Sequence, residues 1–562
     1  MTAAPPPAVA LRPPDRVMRL ARLGSLHQCR LSFMRILTRR MAREGWRFAR
    51  PVFDFDTRGV GHAVYTAQTP DRTYSLVAFG HDLPPEMRSD RVIATAWDAT
   101  FTLFDGVPAP ADIERLSGNV PRQEAGRVDE RSLSLSRANR SARLWDRVVS
   151  TLADGRQPDA GQIAEVGYLM RTTAVYGSGK FGAADYDTIA DRPEMRAPFQ
   201  AEMLSVYLTR VYQRDLVNHM ARARGGHRAV PLEPGIARQL GIGNSTGLGL
   251  GPFIVNHPLL FNNWIAAREE AIARVRAVDR AAAAEIALFR NVLARSSALV
   301  ARWRSAHPIQ QARLADLRAD LAALAERLNG DDLTGPRPWN RLVEWSEAAL
   351  SLEGQELLAS LILEPYGALV DDLADRMGDT DPDAFRIDGS MTVSRARALI
   401  EDTYGWALNL DWDAPEHCAR AWYVSAEKLE PRVGERFEEP IADYELPLAP
   451  GRDAAAAHAA LADWRDDAPL AEFLLRHPEH RFAIRRAQIA ARAPYAEIRD
   501  NTIAADMLPI DLLRAKLAFF GATQFDPRSD RWVRICMYGG APYPEELNAG
   551  NADLWVYPEV AP

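Results

Sequence analysis

The sequence predicts an α+β protein, predominantly α-helical: an N-terminal antiparallel β-meander of about four strands packed with helices, then a large helical region with a long helical hairpin. Three observations lead there. Four short runs rich in Val, Phe, Tyr and Thr lie between residues 52 and 104, apolar side chains recur at helical steps from about residue 140 onward, and a leucine seam runs from Leu314 to Leu328.

Before the meander, the first fifty residues hold eleven Arg against one Asp and one Glu, a net +9, which leaves −16 for the rest of the chain. Leu20, Leu23, Met34, Leu37 and Met41 recur near helical spacing. The segment therefore reads as an amphipathic helix resting on an acidic body, not as a nucleic-acid arm, for which aromatic interleaving is missing. The runs VFDFD, HAVYTAQT, TYSLVAFGH and RVIATAWDATFTLF follow, separated by turn formers such as Thr57-Arg58-Gly59 and Pro70-Asp71-Arg72 and closed by Asp105-Gly106. Connections this short join antiparallel neighbours. Residues 1–140 form this first unit.

Residues 141–258 form a glycine-loop region, 259–376 a helical hairpin and bundle, and 377–562 a mixed, mainly helical region. In the hairpin, residues 259–305 read as one helix with Ile272, Val275, Ile286, Phe289, Leu293, Val300 and Trp303 on one face, broken at Ala306-His307-Pro308. Leu314, Leu317, Leu321, Leu324 and Leu328 give the next helix a coiled-coil seam, and Asn329-Gly330 a left-handed stop. A Pro-, Gly- and Asp-rich linker follows at Gly378 to Gly389, and the strand-like WVRICMY stands near the end.

The totals bound the function. With 47% hydrophobic and 25% charged residues and a net charge of −7, the 562-residue chain has ordinary globular composition. No apolar run is long enough to span a bilayer, the start has no secretory core, and Cys29, Cys418 and Cys536 form no CxxC pair, so a cytoplasmic protein without membrane insertion is expected. Only three of the 68 basic residues are lysine, Lys180, Lys428 and Lys516, which singles each of them out.

Two glycine-rich segments carry the candidate chemistry. Gly177-Ser-Gly-Lys-Phe-Gly182 satisfies GxGxxG, but Ile163, Val166, Met170 and Ala174 before it keep helical spacing, so the glycines are expected to end a helix, whereas a dinucleotide loop must follow a strand. What remains is a sharply bending backbone whose N–H groups suit an anion, with Lys180 as a compact charge that can lose its proton when buried. The bland alternative is a helix cap with an exposed lysine. The second segment, Gly241-Ile-Gly-Asn-Ser-Thr-Gly-Leu-Gly-Leu-Gly-Pro252, runs into Asn256 and His257 at the start of a helix. Glycine at this density weakens folding unless a backbone must approach something closely.

Metal patterns are poor: His477-Pro-Glu-His480 lacks a third helix-spaced ligand, and the Asp379, Asp381, Asp383 run has Ala384 where a calcium loop needs glycine. No metal is expected, no fingerprint calls for a flavin or nucleotide, and the cofactor stays open.

The expectation is a metabolic enzyme acting on a small carboxylate- or phosphate-bearing molecule by lyase, hydrolase or proton-transfer chemistry. Lys180 and His257 are its candidate catalytic groups. Arg171, Gly177, Gly179, Gly182, Asn244, Ser245, Thr246, Gly247, Gly249 and Asn256 are its candidate binding residues. A homodimer is expected, and the alternative function is a non-catalytic helical scaffold or regulator that dimerises through the hairpin at residues 259–328.

Overall fold

The computed structural model describes residues 10–19, 21–84, 96–119, 130–177, 189, 191–245, 258–306, 308–378, 386–412, 450–498, 509–525 and 534–557. A nine-stranded sheet organises them: β1 (Arg47–Phe55), β2 (Gly61–Gln68), β3 (Thr73–Gly80), β4 (Ala99–Asp105), β5 (Ser132–Arg140), β6 (Tyr168–Gly177), β7 (Gly241–Ser245), β8 (Gln524–Phe525) and β9 (Arg534–Met537). Their spatial order is β1-β2-β3-β4-β5-β6-β7-β9-β8. Helices outweigh the sheet, and the protein is mixed α/β with a mostly antiparallel sheet.

β1 to β4 are the four expected runs, paired antiparallel in sequence order. The meander does not stop at Asp105-Gly106, however: β5 and β6 extend it to six antiparallel strands. β5, SLSLSRANR, carries little apolar signal because its serines face protein, not water. Ser132, Ser134 and Ser136 are all buried, and Ser134 hydrogen-bonds Ser205.

β6 corrects the helix expected across residues 163–174. The helix Ala160–Val166 ends on Gly167, whose φ of 80° is left-handed and whose N–H returns to the Ile163 carbonyl. The chain then extends as YLMRTTAVYG, so GxGxxG follows a strand after all. β7 is likewise a strand inside the sheet, where a loop was expected, and it pairs parallel with β6. Parallel neighbours need a long crossover, here built around the 26-residue helix Gln200–Gly225.

The helices used below are α1 (Phe33–Arg43), α2 (Gln200–Gly225), α3 (Pro258–Arg276), α4 (Ala283–Arg302), α5 (Pro308–Asn329), α6 (Leu352–Leu361), α7 (Val393–Leu408), α8 (Pro450–Ala462), α9 (Leu470–Arg476), α10 (Arg481–Arg492) and α11 (Pro509–Phe520). The single helix expected over residues 259–305 is two, α3 and α4. The chain turns between them because Glu285 accepts the Ala282 N–H at 2.7 Å and the Arg337 N–H ties down the Asp279 carbonyl at 2.7 Å. α5 stops at Asn329 as expected, although Gly330 is not left-handed; Leu333, at φ 60°, is. The five seam leucines are buried in the main core of their own chain. α7 to α10 close a second, smaller core around Ile400, Leu461, Phe473 and Ile484.

The basic N-terminal segment does rest on an acidic body, but the helix expected from Leu20 to Met41 is corrected: residues 21–32 are turns and irregular chain, and the helix begins only at Phe33. Arg12 joins Glu269 at 2.7 Å and Glu356 at 2.8 Å, and Arg268 joins Glu356 at 2.6 Å. Arg35 on α1 bridges Glu364 at 2.6 Å and Asp553 at 2.7 Å, while Arg30 holds Asp371 at 2.8 Å and Asp553 at 2.6 Å. Among the described residues no helix is long and apolar enough to cross a membrane.

Candidate functional site

The parallel pair β6 and β7 is where the candidate site can be built. Two of the five glycines in the second segment serve strand packing. A Cβ on Gly241 would lie 2.2 Å from the Met537 carbonyl oxygen, and one on Gly243 would lie 2.9 Å from the Tyr168 ring. That close approach lets β7 sit between β6 and β9, with Thr172 opposite Asn244 and Gly243 opposite Cys536.

A buried polar chain starts from this pairing. Thr172 Oγ1 donates to the Gly243 carbonyl at 3.2 Å, Asn244 Nδ2 donates to Thr172 Oγ1 at 2.8 Å, and Lys516 Nζ on α11 donates to Asn244 Oδ1 at 2.6 Å. Lys516 is 5% exposed, and its ammonium lies 5.4 Å from the Phe520 ring centroid. Burial disfavours the charged form and pushes the amine down to about 7.

The N-terminal turn of α2 reaches the same region. Ser205 bonds Ser134, which stands opposite Gly177 at the end of β6, while Gln213, two turns on, accepts the Leu169 and Met170 N–H groups at the strand's start. α2 therefore runs antiparallel to β6, with its first turn over the C-terminal end of the strand. Phe199, at its N-cap, has φ 55°, a strained conformation for a bulky side chain. Its ring packs 5.1 Å from Phe520, 5.5 Å from Phe33 and 5.5 Å from Trp264 on α3. One aromatic cluster thus joins α1, α2, α3 and α11 beside Lys516. Glu202, in that first turn of α2, is 4% exposed, and burial pushes its carboxyl up to about 8.

The expected residues fall into three groups. Asn244 is part of the polar chain. Gly177 and Ser245 are the last residues of β6 and β7; the strands run the same way, but Asn244 pairs with Thr172, so β6 continues past the end of β7 before the first glycine-rich segment begins. Arg171 is buried beside Thr172, and alternation along the strand turns it to the opposite face. Lys180, His257, Gly179, Gly182, Thr246, Gly247, Gly249 and Asn256 lie outside the described residues. Lys516, Thr172 and Glu202 were not among the candidates. The scarcity of lysine pointed to Lys516; nothing in the local pattern marks the other two.

A separate cleft of about 300 Å³ is lined by Arg30, Arg39, Arg40, Asp371, Asp375 and Asp553 among others. Its lining also holds Arg43, so four arginines face three aspartates; Arg40 lies 2.6 Å from Asp375, Arg39 lies 3.1 Å from Asp553, and Arg43 turns to Glu44 at 3.6 Å.

No protein-family model, no curated protein and no solved structure matches the chain.

Proposed function

We propose that the protein is an enzyme acting on a small carboxylate- or phosphate-bearing molecule at the C-terminal ends of β6 and β7, with Lys516 as the proton-transfer amine and Glu202 as a neutral acid. The observation that carries this reading is the buried Lys516–Asn244–Thr172 chain across the two parallel strands. A lysine in an apolar setting is neutral near physiological pH and so able to act as a base, and a carboxyl displaced the other way can donate a proton. Lys516 stands against Phe520 of the aromatic cluster, and Glu202 lies in the helical turn that Phe199 of the same cluster caps, which favours chemistry over packing. By analogy with open α/β sheets, ligands gather where parallel strands present their C-terminal ends. Lys180 follows β6 by three residues and His257 directly precedes α3 in sequence, and both remain further proton-transfer candidates. Scaffolding through the hairpin draws no support from the seam leucines, which are buried in their own core.

The test is a thermal-shift screen with carboxylates, phosphates, acyl-CoA and nucleotides, repeated on Lys516→Met and Asn244→Leu. A saturable rise in Tm that both variants lose, with turnover of that ligand falling about 10²–10⁴-fold in Lys516→Met, supports the site. kcat/KM should peak between about 7 and about 8, where Lys516 is neutral and Glu202 protonated. Indifference to every ligand class, or unchanged turnover in Lys516→Met, would sink it.

A further inference from the structure

The turn joining α9 to α10 gathers three metal-binding side chains in four residues. His477 closes α9, Pro478 to His480 form one 3₁₀ turn, and α10 starts at Arg481. Pro478 fixes the turn's entry, and the His480 N–H returns to the His477 carbonyl at 3.2 Å, so the side chains of residues 477, 479 and 480 crowd together. His477 Nδ1 lies 3.3 Å from Glu479 Oε1, His480 Nε2 lies 3.9 Å from the same oxygen, and all three donor atoms fall within 4.8 Å of one another.

Those separations match what a cation needs. Donors about 2.0–2.1 Å from a tetrahedral zinc ion stand about 3.4 Å apart. One pair already does, the second is about half an ångström wider, and small side-chain rotations close the third. The rings are also supported from below. The fully buried Phe473 stacks on His477 at 5.0 Å and on His480 at 5.8 Å, the latter tilted by only 11°. Trp464 meets Phe473 edge-on at 5.5 Å. Asp453, on α8, adds its negative charge at His480.

We infer that His477, Glu479 and His480 form a binding site for a borderline divalent cation of the zinc, nickel or copper class. Two imidazoles and one carboxylate suit such ions and not magnesium or calcium, which take oxygen donors. Three protein donors leave at least one coordination position open. The ion would clasp α9 to α10 over the second core. The site is independent of the Lys516 region, and sequence spacing alone did not reveal it because the third ligand is the carboxylate between the two histidines.

Chelator-treated full-length protein would be titrated with Zn²⁺ by calorimetry and with Co²⁺ by visible absorption. One equivalent should bind, with affinity reduced at least about 10-fold in His480→Ala and in Glu479→Gln. Glu479 is 60% exposed, so Glu479→Gln leaves the fold intact and separates a lost ligand from a damaged core. Magnesium should not compete. No zinc binding, or zinc held with equal affinity by the wild type and either variant, overturns the site and leaves an adventitious ion only.

Discussion

The arginine–carboxylate lattice under the N-terminal segment and the Lys516 region both draw charged groups out of water, and they treat charge in opposite ways. In the lattice each guanidinium meets carboxylates. Burial alone would raise Glu356, yet Arg12 and Arg268 hold it well below the usual carboxylate range, and Asp553 is held down likewise by Arg35, Arg39 and Arg30. Those charges are locked on. At Lys516 and Glu202 desolvation dominates and moves each group to where a proton comes and goes near neutral pH. Burial against ionic partners fixes a charge; burial in which desolvation dominates leaves a group that titrates near neutral pH.

The difference can be broken by mutation. Glu356→Gln leaves Arg12, Arg22 and Arg268 around a neutral amide and should cost about 3–5 kcal/mol in urea unfolding. A loss under 1 kcal/mol would mean that the lattice relaxes easily and is not locked. Lys516→Met should stay within about 1 kcal/mol of the wild type at neutral pH, since the removal of an expensive buried amine offsets the loss of its hydrogen bonding, that to Asn244 included. A loss matching that of Glu356→Gln would place Lys516 with the structural charges.

The pH dependence sharpens this further. Lys516 titrates at about 7 when folded against a usual value of 10.5, so between these limits the unfolded chain binds the extra proton and stability rises with pH. Below about 7 both states are protonated and the full penalty applies. The stability of the wild type relative to Lys516→Met should therefore climb by at most about 1.4 kcal/mol per pH unit from 7 towards 10.5; a flat difference would refute the burial-driven shift. The smallest effect is expected at the surface. Arg58 pairs with Asp56 and Asp82 while 65% exposed, and Arg58→Ala should change stability by about 0.5 kcal/mol or less.

How far the sequence reveals all this depends on which force shapes each element. β1 to β4 are legible because their β-branched and aromatic residues are bounded by turn formers, and the basic segment because its charge excess demands an acidic counterpart. β6 is not, since Met170 and Ala174 happen to sit at helical steps and only the left-handed Gly167 separates helix from strand. β7 has a single large apolar side chain, Ile242, and is a strand because its glycines let neighbours close in. At the site, Asn244 stood out within an unusual segment and Lys516 by rarity. The carboxyl of Glu202 resembles any other helical glutamate until the tertiary fold removes its water.

The lattice also has a consequence for how the protein is made. Arg35 and Asp553 are 518 positions apart, and Arg514 near the far end of the chain secures Glu353 at 2.6 Å and the Gly24 carbonyl at 3.2 Å. β8 and β9 complete the sheet only beside β7. While the ribosome is still translating, the early arginines therefore lack several of their counter-ions, and an emerging chain must keep them hydrated or shielded until residue 553 has been added. Ribosome-bound intermediates arrested before residue 514 should accordingly be protease-sensitive between residues 23 and 38, a segment that the released protein buries.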